Sequence, residues 1–284
     1  MKLIRFGEPG RERPGIELDN GARLDLSGFG EDYDGEFFST EGPGRLLAWI
    51  SECDQFNAVD PSVRLGPPVK SPGKLVCIGL NFRKHAEESG MDIPDEPVIF
   101  TKAVSAICGP HDDLIIPENS VKTDWEVELA IVIGMKASNI SREEADRHIA
   151  GYCLHNDYSE RDFQFNHGGQ WVKGKSCDTF APLGPWMVTK EEAGDPSDLS
   201  IWLKVNDELM QNSSTSDFIF DVRFIVSYVS RFMTLLPGDI ISTGTPEGVG
   251  MGRKPPRFIK AGDIIEFGID KLGTARQLAV EYKR

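Results

Sequence analysis

The segment Asp124-Trp125-Glu126-Val127-Glu128-Leu129-Ala130-Ile131-Val132-Ile133 alternates acidic and apolar residues over its first half. In a strand, successive side chains point to opposite faces. Trp125, Val127, Leu129, Ile131 and Ile133 then share one face, and Asp124, Glu126, Glu128 and Ala130 the other. Glu126 and Glu128 therefore project side by side and lead into an apolar stretch. Two adjacent carboxylates repel, and burying them is costly unless a cation sits between them. A divalent metal meets that need, and oxygen-only ligands select Mg²⁺, Mn²⁺ or Ca²⁺ over Zn²⁺. The same pattern also describes a half-exposed strand with a solvated acidic face.

A second acidic cluster, Leu154-His155-Asn156-Asp157-Tyr158-Ser159-Glu160-Arg161-Asp162, offers Asp157 as a third ligand. Arg161 and Lys175 can offset the surplus negative charge or bind an anionic substrate; the plain alternative is a polar loop. A third element is Gly79-Leu80-Asn81-Phe82-Arg83-Lys84-His85-Ala86-Glu87-Glu88. Asn81 can cap a short helix on which His85 and Glu88 stand at i, i+3 on one face. A carboxylate that orients an imidazole makes a general base able to activate water near neutral pH, although the same spacing suits a solvated helix face. Gly79 and Gly90 bracket this segment, and Met91-Asp92-Ile93-Pro94-Asp95-Glu96-Pro97 follows as a breaker-rich exit. With few apolar anchors, the segment is expected to rank low in local stability.

Gly169-Gln170-Trp171-Val172-Lys173-Gly174-Lys175-Ser176 matches G-x-x-x-x-G-K-[ST], a phosphate-binding loop pattern. That loop works only between a buried strand and a helix whose N-terminal amides receive phosphate. Here the preceding residues, Asp162 to Gly168, are no apolar strand, and Pro182, Gly184 and Pro185 forbid a helix afterwards. The match is therefore read as spurious.

The elements that must position these groups are mostly strands. Lys2 to Phe6 reads as one, and Asp19-Asn20-Gly21 as the turn of a hairpin. Arg45 to Cys53 reads as a short helix, followed by a Pro- and Gly-rich linker from Pro61 to Gly73. Leu75 to Gly79, Val98 to Lys102, Trp125 to Gly134 and Leu199 to Val205 read as strands, the last entering a hairpin at Asn206-Asp207. Ser141 with Glu144 predicts a capping box. Val222, Ile225, Val226, Val229 and Met233 predict a helix over 221–235, stopped by Pro237-Gly238. Residues 235–241 and 259–265 resemble each other, each a Gly-Asp turn launching a strand. Strands that outnumber helices and do not alternate with them argue for an α+β fold. The division expected is a small β-rich N-terminal domain over 1–70 and a catalytic domain over 71–284.

Composition sets the outer bounds. The chain has 284 residues, 27% of them charged and 39% hydrophobic, enough for a core without staples. Its net charge of −14 repels phosphate backbones, so nucleic acid and anionic membranes are poor partners. No apolar run is long enough for a membrane span, and the start shows no signal-peptide core. The 5 cysteines are an odd number without a CxxC, which reads as reduced thiols of a cytoplasmic protein.

Taken together, these segments are similar to the fumarylacetoacetate hydrolase family. The matching pieces are Gly79-x-Asn81-x-x-x-His85-x-x-Glu88, Pro97-Val98-Ile99-Phe100-x-Lys102, Glu126-x-Glu128-Leu129, and Asn156-Asp157-x-Ser159-x-Arg161-Asp162-x-Gln164. After them come Gly174-Lys175-Ser176-x-Asp178-x-Phe180-x-Pro182-x-Gly184-Pro185 and Thr243-Gly244-Thr245-Pro246-x-Gly248-Val249-Gly250. They run in the family's order, and the ordered set is specific although no single piece is.

The resemblance implies a mixed β-roll catalytic domain, usually dimeric, with Mg²⁺ or Mn²⁺ on Glu126, Glu128 and Asp157. It implies that His85 and Glu88 lie on a lid and activate water, that Lys175 stabilises oxyanion charge, and that Arg161, Gln164 and Thr245 hold the substrate's carboxylate end. Members are hydrolases, decarboxylases, isomerases or lyases, so the fold does not fix the substrate. The His85–Glu88 pair favours hydrolysis of a 2,4-diketo acid. The N-terminal module and Trp171 to Lys175 look like the branch acting on 2,4-diketo-3-deoxy-L-rhamnonate or -fuconate, which gives pyruvate and lactate. Ureidoglycolate lyase activity and isomerisation or decarboxylation of a dioate are the alternatives. From another class, a non-catalytic metal-stabilised scaffold would need neither the His85–Glu88 pair nor Lys175.

Overall fold

Strands of two to nine residues supply most of the regular structure in the computed structural model, which describes residues 1–90 and 92–283. One large sheet runs in the order Asn57–Val59, Arg23–Asp25, Arg13–Glu17, Lys2–Phe6, Ala181–Thr189, Ile149–Asn156, Val127–Ile133, Ile240–Ser242, Leu75–Gly79, Val98–Lys102. A second sheet of 5 strands runs Glu208–Ser214, Ser200–Val205, Ile264–Ile269, Gly273–Glu281, Leu114–Ile116. Helices are short and do not alternate with strands, so the architecture is the mixed α+β one. Among the described residues, no helix is long and apolar enough to cross a membrane.

The N-terminal strand Lys2–Phe6 pairs with Ala181–Thr189, so the sheet runs unbroken from the first residues into the middle of the chain. The stretch between residues 61 and 73, expected as a linker, is laid onto this sheet. Leu65–Gly66 pairs with Lys2–Phe6, and Val69 is buried. The hairpin at Asn20-Gly21 forms, with Gly21 at φ 81° and the Asn20 side chain accepting from Ala22 N–H. The second hairpin forms with both Asn206 and Asp207 at positive φ. The two Gly-Asp turns close identically: Asp239 accepts from the Leu236 N–H and Asp263 from the Lys260 N–H.

Three local expectations are corrected. The helix predicted over 221–235 spans Val222–Ser230, capped by Asp221, whose side chain accepts from Phe224 N–H. It ends early because Asn139 N–H takes the Ser230 carbonyl and Leu235 bridges to Ala137, drawing the chain into extended pairing. The Ser141–Glu144 capping box forms reciprocally, yet it opens onto only the 3₁₀ turn Ala145–His148. Asn81 does not cap the helix Arg83–Glu88; Phe82 stands at that position without a side-chain cap. The exit segment begins at Met91, which lies outside the described residues.

Asn81 is instead fully buried. Its amide donates to the Thr243 and Phe220 carbonyls at 2.7 and 3.1 Å, and its oxygen accepts from Phe220 N–H at 2.8 Å. It thus ties three distant segments together beside Leu80, a bulky residue held at φ 53°. Replacing Asn81 by Ala leaves these backbone groups unpaired in the interior and should cost about 2–4 kcal/mol. A urea midpoint shift at unchanged m-value reads this, and a loss below roughly 0.5 kcal/mol would contradict the tie.

Candidate active site

Val127–Ile133 and Ile149–Asn156 are neighbours in the large sheet, with Val127 opposite Asn156 and Glu128 opposite His155. This register brings the start of one strand beside the end of the other. Glu126 N–H donates to the Asn156 side chain, and Asp157 N–H donates to the Glu126 carbonyl. Glu126, Glu128 and Asp157 consequently meet, each with an oxygen within 4.8 Å of the others, and all three are buried. The solvated-face alternative is excluded, since every residue of Val127–Ile133 is buried on both faces.

Three cations hold this floor. Lys175 Nζ lies 2.6 Å from Glu126 and 2.8 Å from Asp157. Lys102 Nζ lies 2.5 Å from Asp157 and donates to the Tyr158 carbonyl at 2.9 Å. The Arg161 guanidinium stands 2.7 Å from Glu126 and 2.8 Å from Asp124, and donates to the Gln164 oxygen at 3.1 Å. Glu128 has only neutral donors, the Ser242 hydroxyl at 2.5 Å and the Gly244 N–H at 2.8 Å.

The titration directions follow from this arrangement. Burial pushes Asp157 and Glu126 upward, but the lysines around Asp157, and Lys175 with Arg161 beside Glu126, hold both below the usual carboxylate range. Burial would lower Lys175, but Asp157 and Glu126 hold it above its ordinary value. Burial, Asp157 and Glu126 all push Glu128 upward. Asp124, Glu126, Glu128 and Asp157 thus face three cations, and the one left without a cation is Glu128. An all-oxygen donor set with a carboxylate to spare fits a hard divalent ion such as Mg²⁺ or Mn²⁺.

Above the floor opens a cavity of about 460 Å³. His85, Glu88, Glu126, Glu128, Arg161, Gln164, Lys175 and Thr245 all line it, and Asp157 lies beneath, bonded to Lys175. The structure therefore gathers all the residues singled out in the sequence. His85 Nδ1 stands 3.5 Å from Glu88. Glu88 also accepts from Gly248 N–H, 3.1 Å from each of its oxygens. Burial raises Glu88, but His85 and that N–H outweigh it and keep the carboxylate ionised. Thr245 donates to the Val127 carbonyl and accepts from Gln211.

Sequence reasoning missed two members. Lys102 is a lone lysine ending the Val98–Lys102 strand, and its side chain is fully buried against Asp157. Asp124 shares the alternating row with the two glutamates and fixes Arg161. The phosphate-loop match is spurious in three dimensions too. It follows the helix Arg161–Asn166, forms one turn at Val172–Lys175, and leads into the strand Ala181–Thr189.

Glu128 yields a prediction with a definite sign. Its folded-state value lies above the unfolded one, so it favours folding in acid and opposes it increasingly as pH rises toward the folded value. Glu128→Gln should therefore raise the melting temperature of the metal-free protein at pH 7. The same variant should lose most of the stabilisation that Mg²⁺ or Mn²⁺ gives the wild type, about 2.7 kcal/mol at a hundredfold excess over Kd. Differential scanning calorimetry with and without metal reads both effects. A variant that keeps the full metal response would place the ion elsewhere.

Residues 74–280 match the fumarylacetoacetate hydrolase C-terminal family. A Burkholderia cenocepacia protein, whose name gives it only a provisional hydrolase activity, is 49% identical over 279 residues, 98% of each chain. The crystal structure of 2-hydroxyhepta-2,4-diene-1,7-dioate isomerase from Mycobacterium marinum is 35% identical, with TM-score 0.77 and full coverage of both chains. Maleylpyruvate hydrolase from Sphingobium sp. SYK-6, solved with manganese(II) and pyruvate, is 30% identical, with TM-score 0.81 and full coverage of both chains. Because this family match spans residues 74–280, most of the chain, this protein belongs to the fumarylacetoacetate hydrolase family.

Proposed function

We propose that this chain is a Mg²⁺- or Mn²⁺-dependent hydrolase that cleaves the C–C bond of a 2,4-diketo acid, an acylpyruvate, releasing pyruvate. The observation that carries the reading is the shared cavity, with a buried carboxylate triad at its floor and a carboxylate-paired histidine in its wall. The solved relatives with manganese and pyruvate, and with a dioate-isomerase name, support a small oxo-acid substrate.

Glu126, Glu128 and Asp157 would hold the metal, which would supply Lewis-acid chemistry to the oxo-acid end of the substrate. Hydrolysis adds the hydroxyl of water to the acyl carbonyl carbon and a proton to the carbon that becomes the pyruvate methyl. His85 is the group placed to take a proton from that water. Glu88, kept ionised and fixed by Gly248 N–H, stands 3.5 Å from Nδ1 and steers the imidazole. Lys175 stays protonated between Glu126 and Asp157 and is the buried donor available to developing oxyanion charge. Arg161 and Gln164 present the polar wall for the substrate's carboxylate end. Thr245, whose proton goes to the Val127 carbonyl and whose oxygen accepts from Gln211, has no donor left for this end and only lines the cavity there. The arm beyond the acyl carbonyl distinguishes a deoxy-sugar diketo acid from a dioate, and a homodimer is the assembly proposed with this activity.

Pyruvate release from acylpyruvates, followed by coupled reduction to lactate, should require added Mg²⁺ or Mn²⁺ and stop with a chelator. His85→Ala should lower kcat by roughly 10²–10⁴-fold with metal saturating, while leaving metal affinity nearly unchanged. Wild-type turnover in that variant would sink the histidine's role. Turnover of ureidoglycolate with no acylpyruvate cleaved would replace the reaction itself by the lyase alternative.

A further inference from the structure

Three glycines alternate along Gly248-Val249-Gly250-Met251-Gly252, and they are glycines for different reasons. Gly248 stands at φ 96°, and a Cβ there would meet the Met210 carbonyl oxygen at 2.0 Å. A Cβ at Gly250 would meet the Arg257 carbonyl oxygen, also at 2.0 Å. At both positions backbone stands in the way. Gly252, which closes the 3₁₀ turn Gly250–Gly252, lies outside the left-handed region, so its own backbone would accept a side chain. The three atoms nearest to a Cβ at Gly252 all belong to Glu88: Cδ at 2.8 Å, Oε1 at 3.0 Å and Cγ at 3.1 Å. Local backbone does not require glycine at 252; the carboxylate beside His85 does.

The turn itself is held. Buried Asp124 accepts from the Gly250 and Met251 N–H groups at 2.7 and 3.0 Å, and the Trp125 indole N–H donates to the Gly248 carbonyl at 3.0 Å. Asp124 and Trp125 directly precede Glu126, so these bonds set the turn at a fixed height over the carboxylate triad. Glu88, in contrast, is the end of a side chain with rotatable bonds. Its position depends on contacts that a small displacement would lose. Gly248 N–H lies 3.1 Å from each of its oxygens, and His85 Nδ1 lies 3.5 Å away. A methyl group at 252 therefore moves the Glu88 carboxylate rather than the turn.

We propose that Gly252 is a positioning residue of the reaction: by carrying no side chain it seats the Glu88 carboxylate between Gly248 N–H and the His85 imidazole. The proposal rests on the reading of His85 as the general base, and adds to it a residue that acts only through Glu88.

The test is a double-substitution cycle on the metal-loaded enzyme with an acylpyruvate as substrate. Gly252→Ala should lower kcat by roughly 10–100-fold and leave KM nearly unchanged, since a misplaced catalytic pair costs turnover rather than binding. In the Glu88→Ala background the same substitution should leave kcat nearly unchanged, because no carboxylate remains to be displaced. The rise in melting temperature on adding Mg²⁺ should match wild type in Gly252→Ala, since the triad is untouched. Wild-type kcat in Gly252→Ala, a penalty that persists in the Glu88→Ala background, or a lost metal response overturns the positioning role and leaves the hydrolase reading standing. Full turnover in Glu88→Ala alone overturns the positioning role together with the His85–Glu88 pair. Cleavage of no acylpyruvate by wild type overturns the hydrolase reading and the positioning role with it.

Discussion

Four carboxylates held out of water against three cations are the constraint around which this protein is organised. Asp124, Glu126, Glu128 and Asp157 are all buried, and so are Lys102, Arg161 and Lys175. Removing one partner of such a set leaves an uncompensated buried charge, which is strongly destabilising. Every segment that contributes a member is therefore fixed relative to the others. Lys102 comes from an outer strand of the large sheet, Glu128 from its middle, and Lys175 from a single helical turn.

The sheet supplies the precision that this cluster needs. Register between Val127–Ile133 and Ile149–Asn156 sets Glu126 and Asp157 side by side, and a slip by one residue would turn Glu128 away from its partners. On the other side Val127–Ile133 pairs with Ile240–Ser242, which delivers the Ser242 hydroxyl and Gly244 N–H to Glu128. Neutral donors on one flank and cations on the other leave Glu128 the least compensated carboxylate. That asymmetry is what makes a divalent ion, rather than another lysine, the fitting partner for the floor.

The wall that carries His85 buries fewer apolar side chains of its own. The helix Arg83–Glu88 buries only Ala86 among its own residues. Asn81 pins its start to Phe220 and Thr243, and Glu88 pins its end to Gly248 N–H. Arg83 also donates to the Phe218 carbonyl and Lys84 N–H to Asp217, so polar ties more than buried apolar side chains of its own hold this helix. Glu88 both faces His85 and accepts from Gly248 N–H, so one carboxylate links the imidazole to the Gly248 turn.

Local patterns legible in the sequence were those carried by neighbouring residues. The Lys2–Phe6 and Val98–Lys102 strands, both hairpins, the paired Gly-Asp turns and the i, i+3 spacing of His85 and Glu88 all depend on short-range sterics or periodicity. The alternation of Glu126 and Glu128 likewise placed them together, and the ordered motifs named the family. Tertiary structure decided the rest. Whether the acidic strand faced solvent turned on what covers it, which no local pattern encodes. The helix expected over 221–235 stopped at Ser230 because a distant segment claimed its last carbonyl. Asn81 became a long-range tie rather than a cap. Lys102 looked like an ordinary strand end until Asp157, 55 positions away, met it in the interior. Burial and charge pairing are properties of what surrounds a side chain, and those surroundings come from residues far apart in the chain.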